Sequence, residues 1–147
     1  MLHFEGDQSF TQTRAYLSAK LGDARFLVQC IPDVESVSEA QPAQAVCVLR
    51  PGFAFVRGTL EVSLQVTTSP EGEARFLVRS KGIGSSSTVV ALLSFSPEEN
   101  GTRIHWQVDV QELGGLLKAV PRGLIQAAAQ KVIADVWKGV TDKLNAA

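Results

Sequence analysis

The sequence predicts an α+β fold: a strongly curved, seven-stranded antiparallel sheet around one long C-terminal helix, with two short helices after strand 1. Three observations predict it. Between about residues 34 and 112, most segments alternate apolar and polar side chains with the period of two of a half-buried strand. The connections between these segments are short and carry Pro, Gly and Asn, which suits hairpins and leaves no room for parallel crossovers. From about residue 116 to 144 the apolar spacing becomes helical.

Strand 1 is read from Leu2, Phe4, Gly6 and Phe10 on one face, with His3, Glu5 and Asp7 on the other. Thr11 is the expected cap of a short helix through Leu21, which Gly22 closes in the left-handed conformation. Asp23 caps a second helix over 24–30, and Ile31-Pro32 ends it. Segments 34–38 and 44–49 supply the next two strands, and 56–68 a longer one with Leu60, Val62, Leu64 and Val66 on one side. Ser69-Pro70-Glu71-Gly72 is a type I turn sequence leading into the strand at 74–80. Segments 86–95 and 103–110 complete the seven, joined through a turn at Asn100-Gly101. The last helix would span roughly 40 Å at 1.5 Å per residue, enough to cross the face of the sheet. Pro121 either opens it at its first turn or kinks a longer one.

The 147 residues suit a single domain, 1–147, with its own core. A net charge of −1 provides no single-signed field, so no nucleic acid partner is expected. No apolar run approaches the roughly 20 residues of a membrane helix, and the N-terminus lacks the character of a signal peptide, so the expected location is cytoplasmic. Cys30 and Cys47 stand apart in apolar surroundings and read as buried thiols. With His3 and His105 they lack the paired spacing of a zinc site, so no metal and no cofactor is expected. By strand parity both histidines face outward, where His105 could meet Asp109. Ser85-Ser86-Ser87 lacks a positioned base, and no catalytic residue is assigned. Gly82-Ile83-Gly84 joins two strands and is read as a bulge or tight turn.

Four features together carry a family resemblance: "CIPD" at positions 30–33, "GTR" at 101–103, "ELGGLL" at 112–117 and the hairpin order before them. The chain resembles the CoxG family, the G-subunits of carbon monoxide dehydrogenase, within the START-like (SRPBCC) superfamily, over nearly its whole length. Asp33 stands where the family pattern has glycine, so the turn after Pro32 is expected to differ slightly. The resemblance implies a helix-grip fold with an apolar cavity between sheet and helix. It implies a hydrophobic ligand, lipid or quinone-like, and association with a molybdenum carbon monoxide dehydrogenase through maturation, membrane recruitment or quinone supply. The expected function is a carrier accessory to that enzyme, cytoplasmic and in transient contact with the inner face of the membrane. Two alternatives stay open: a small cyclase, hydratase or hydrolase using the same cavity, and a protein-interaction module with a filled core.

"LIQAAAQKVIADVW", from position 124 to 137, places three alanines at the waist of the last helix between large apolar side chains. Either bulky sheet residues such as Trp106 and Phe76 interdigitate with them, or a pocket remains. An empty void of roughly 300 Å³ would cost on the order of 7 kcal/mol, comparable with the net stability of a domain. Strand parity then nominates inward ligand contacts at Leu60, Val62, Leu64, Phe76, Val78, Val89, Ala91, Leu93, Ile104, Trp106 and Val108, with Leu124, Ala128 and Val132 from the helix. Phe53 and Phe55, beside Gly52, are expected to form a lip or a packed hairpin.

Overall fold

The computed structural model describes residues 2–52, 58–69 and 72–146. Phe53 and Phe55 lie outside the described residues, as do Pro70 and Glu71 of the expected turn. The elements run β1 (Leu2–Phe10), α1 (Arg14–Leu21), α2 (Ala24–Val28), β2 (Val34–Ala40), β3 (Gln44–Leu49), β4 (Leu60–Thr68), β5 (Glu73–Gly82), β6 (Ser85–Glu98), β7 (Gly101–Gly115), a 3₁₀ turn (Leu116–Ala119) and α3 (Arg122–Ala146). The strands form one antiparallel sheet in the order β1-β7-β6-β5-β4-β3-β2. From β2 onward every connection is between sheet neighbours. The link from β1 to β2 joins the two outer edges and carries α1 and α2.

Local chemistry sets the element ends. The cap of α1 is Thr13 rather than Thr11: its hydroxyl accepts from the Tyr16 N–H at 3.2 Å, and Thr11 lies two residues beyond. Asp23 caps α2 by accepting from the Arg25 N–H at 2.9 Å, and the helix closes at Val28, short of Cys30. Gly22 is not left-handed, with φ −86°. Its small size is required instead by space, because a β-carbon there would sit 2.7 Å from the Ser18 carbonyl oxygen and 2.8 Å from Cγ2 of Thr68. Asp33 does adopt positive φ, 64°, the region in which glycine is unstrained.

The β5–β6 hairpin turns through Ile83 and Gly84, both at positive φ (56° and 68°), as a two-residue hairpin loop requires. Pro121 opens α3 and does not kink it. Val120 is extended, and the Pro121 carbonyl accepts from the N–H groups of Leu124 and Ile125 at 3.0 and 3.2 Å. A register shift beside β6 leaves Gln111 of β7 unpaired, which keeps Leu113 on the same face as Val110.

The core lies in two clusters on the inner face. The larger gathers Phe10, Leu17, Leu21, Cys47, Val62, Leu64, Phe76, Leu93, Phe95 and Ile104 with the C-terminal half of α3, where Val140 and Leu144 are buried. Gly139 lets α3 close on the end of α2, since a β-carbon there would fall 2.6 Å from the Cys30 carbonyl oxygen. The smaller cluster joins Leu2, Phe4, Val110 and Ile125 under the N-terminal half of the helix. Trp106 packs against both.

Candidate functional site

The two halves of α3 meet the sheet differently, and the side chains explain why. Toward its C-terminus the helix offers Val136, Trp137, Val140 and Leu144 to the large cluster. Toward its N-terminus it offers Ile125, Ala129 and Ile133 to a cluster of four buried residues. The alanine on the packed face is Ala129; Ala127 is exposed and Ala128 only partly buried at the flank. With a methyl group where leucine would reach further, this half of the interior is thinly filled.

The sequence-nominated residues separate accordingly. Val62, Leu64, Phe76, Leu93 and Ile104 are buried in the large cluster, and Leu60, Val78 and Ala91 are partly buried against it. Val89 and Val108 are partly buried against the small cluster, and Trp106 lies at the junction. Leu124 and Val132 do not face inward. They are 51% and 37% exposed, because the helix turns Ile125, Ala129 and Ile133 to the sheet instead.

Two open hollows flank the helix, one at its start and one along its middle and C-terminal part. One, about 720 Å³, lies between the ends of β1 and β7 and the start of α3, with Leu2, Val110, Leu113, Leu117, Val120 and Ile125 as apolar walls and Glu112, Lys118 and Arg122 at its rim. The other, about 690 Å³, runs between β1 and α3, where Phe4, Trp106, Ile133 and Trp137 form the walls, Gln8, Gln126 and Gln130 add carboxamides, and His3, Glu5, Lys138 and Asp142 add charge. Both volumes fall within the roughly 300–1,000 Å³ of small-molecule sites. Of the nominated residues only Trp106 lines either described hollow. The contributions of β1, the end of β7 and Leu117 were missed. Their signal was the apolar face of strand 1 and the widened stripe of the last helix.

Trp106 and Trp137 of the second groove belong to an aromatic row that runs into the core at Phe10. The rings of Phe10 and Trp137 are 6.2 Å apart, and those of Trp137 and Trp106 6.5 Å, within the spacing of interacting aromatics. Nε1 of Trp106 is buried and has no acceptor among the described residues.

Along β1 and β3–β7 the register places no carboxylate or imidazole on the inner face, among the described residues. Its polar groups include Gln8, and Ser80 with Ser87, whose hydroxyls bond each other at 2.5 Å. Charge is carried outside. Nδ1–H of His3 donates to Asp109 at 2.6 Å, and Nδ1–H of His105 to Asp7 at 3.0 Å. His105 therefore meets Asp7 across the β1–β7 pair, and Asp109 belongs to His3. The bonds to Asp109 and then Glu5 hold the His3 pKa above its ordinary value, while Arg103 and then His105 hold the Asp7 carboxyl below the usual range. Burial pushes the Cys30 thiol up to about 11, and Cys47 upward as well, so neither offers a ready thiolate. No group of His, Cys, Asp and Glu suited to a metal ion occurs among the described residues. Among them, too, no helix is long and apolar enough to cross a membrane.

The architecture matches solved structures across almost the whole chain. A conserved protein from Geobacillus kaustophilus superposes with TM-score 0.84 at 21% identity, covering 98% of this chain and 95% of that one. A START superfamily protein from Mycobacterium smegmatis gives TM-score 0.71 at 12% identity, covering 97% of each chain. A STAR-related lipid transfer protein from Xanthomonas axonopodis gives 0.59 at 14% identity, covering 97% and 85%. At such identities the likeness establishes a START-like, helix-grip fold. No curated relative matches the sequence. Residues 6–145 match the sequence pattern of the carbon monoxide dehydrogenase G-subunit, CoxG, and with the fold in agreement the chain belongs to the CoxG family.

Proposed function

We propose that the protein is a carrier that holds a hydrophobic small molecule, lipid-like or quinone-like, between α3 and the sheet. One observation carries this reading: two open, apolar-walled hollows of ligand size lie between α3 and the sheet, one at the start of the helix and one along its middle and C-terminal part, while Ala129 offers only a methyl group to the small cluster. Apolar wall left wet disfavours the unliganded state by about 25 cal/mol per Å², so a greasy occupant covering about 90 Å² of one hollow gains on the order of 2 kcal/mol. His3, Glu5, Glu112 and Asp142 line the hollows from outside the inner face of β1 and β3–β7, which carries no carboxylate or imidazole among the described residues, and this favours carriage over acid–base chemistry.

Family membership supports service to a molybdenum carbon monoxide dehydrogenase-type enzyme in the cytoplasm. Contact with the inner membrane face fits the exposed Leu116, 64% accessible, which neighbours the Ile83-Gly84 turn and stands in chain beside Lys118 and Arg122.

Native mass spectrometry of gently purified protein, together with titration of the apolar fluorophore N-phenyl-1-naphthylamine, tests the carrier. The expected result is a co-purified apolar mass and near one-to-one probe binding. A bare protein that also leaves the probe dark removes the reading. Co-purification from cells expressing such a dehydrogenase tests the partner.

A further inference from the structure

We propose that Trp106 is the polar anchor of the groove between β1 and α3, and that its indole N–H selects ligands bearing a neutral hydrogen-bond acceptor, such as a ketone or ester carbonyl, on an apolar body. The inference rests on the carrier reading and adds the chemical class of the head group.

Nε1 of Trp106 is buried without an acceptor among the described residues, and such groups are rare in folded proteins. Packing alone does not ask for it, because phenylalanine would present an aromatic face with no N–H to satisfy. Indole nitrogen is a donor only, so whatever completes it must bring an acceptor. The setting limits the choice further. Trp106 lines the groove between β1 and α3, and its Nε1 edge packs over Gly6, where a β-carbon would lie 3.2 Å from Nε1, so no β1 side chain supplies the acceptor there. Phe4, Ile133 and Trp137 supply apolar walls, while Gln8 and Gln130 supply uncharged amides. At the rim, Lys138 is already paired with Asp142 at 3.0 Å, and Glu5 with His3 at 3.3 Å. No cation is left over to receive a carboxylate or phosphate among these rim groups, and burying a charged head without one is costly. A neutral carbonyl oxygen meets every condition.

The test uses the whole chain, with N-phenyl-1-naphthylamine as the carbonyl-free probe and 2-undecanone as the competitor. In W106F the affinity for the ketone relative to that for the fluorophore is expected to fall about fivefold, as loss of one hydrogen bond implies. In the ¹H–¹⁵N spectrum of the unaltered protein, the indole resonance absent from W106F moves downfield on adding 2-undecanone. Equal competition in both proteins with that resonance unmoved overturns the anchor, as does binding of the fluorophore without the ketone, and either result leaves the carrier intact. Failure of both probes to bind removes carrier and anchor together. If W106F does not fold, the indole resonance of the unaltered protein decides the matter.

Discussion

Gly6 lies directly under the indole of Trp106, its register partner across the β1–β7 pair: a β-carbon at Gly6 would approach Cζ2 of that ring to 2.7 Å. The ring lies over its neighbour strand because that strand has no side chain at the contact point. Trp106 thereby reaches both core clusters and closes the floor of the β1–α3 groove. Gly6→Ala forces a bulky, inflexible ring to move, so overpacking is expected to destabilise the protein by about 1–3 kcal/mol. Urea unfolding followed by tryptophan fluorescence measures it. A variant as stable as the parent, with an unchanged emission maximum, would show that the indole is not held there.

Ala129 gives the most direct test of the thin waist. Ala129→Phe places a ring against the small cluster, where the helix now offers a methyl group, and is expected to lower the affinity for an apolar probe at least tenfold, a change of about 1.4 kcal/mol. Ala127→Phe, two residues away on the exposed face, is the matched control and leaves binding within about twofold, as surface changes usually do. Equal effects of the two substitutions would move the binding site off this face of α3.

Why the sequence led to Leu124 and Val132 rather than Ile125 and Ile133 has a geometric answer. The last segment holds two adjacent apolar series, 124/128/132 and 125/129/133, and periodicity alone does not choose between them. Extending the series back to Leu116 and Val120 would give it a phase, but Leu116 belongs to a 3₁₀ turn and Val120 is extended, so no helical phase passes Pro121. Steps of four residues also advance about 40° beyond a full turn at 3.6 residues per turn. A series exposed at Leu124 therefore rotates into the core by Val140 and Leu144, as observed. The strands were legible because a period of two does not drift: Val62, Leu64, Phe76, Leu93 and Ile104 all fall on the buried face. The hollows were less so, because they depend on where β1 meets α3, a relation between the two ends of the chain that no local pattern encodes.

Asp33 holds φ 64° in the turn after Pro32, at a position where glycine carries no β-carbon penalty. Relief of that strain is opposed by the extra freedom glycine adds to the unfolded chain. Asp33→Gly is expected to be neutral or to stabilise by up to about 1 kcal/mol, while Asp33→Val, β-branched, costs about 1–2 kcal/mol or more. Thermal melting of the two variants checks the order. Valine melting above glycine would mean that this turn takes another shape in solution.

His3 and Asp109 set a pH dependence on the outer face of the sheet. The Asp109 carboxylate, and after it Glu5, favours the imidazolium, so the His3 pKa in the folded chain lies above the ordinary 6.5. A raised value means that the folded protein binds the proton more tightly than the unfolded chain does. The stabilisation is therefore complete below about pH 6.5 and is lost as pH rises through the higher folded value. Asp7 works in the other direction: its carboxyl, lowered by Arg103 and then His105, adds stability above its ordinary 3.8 that is lost as pH falls through the depressed folded value. With the His3 side chain 48% exposed, solvent screens the pair and the effect is small. His3→Gln is expected to flatten the decline in urea midpoint just above pH 6.5. Titration of the His3 ring proton by NMR gives the same answer independently, and a midpoint at or below 6.5 would show that Asp109 does not hold the imidazolium in solution.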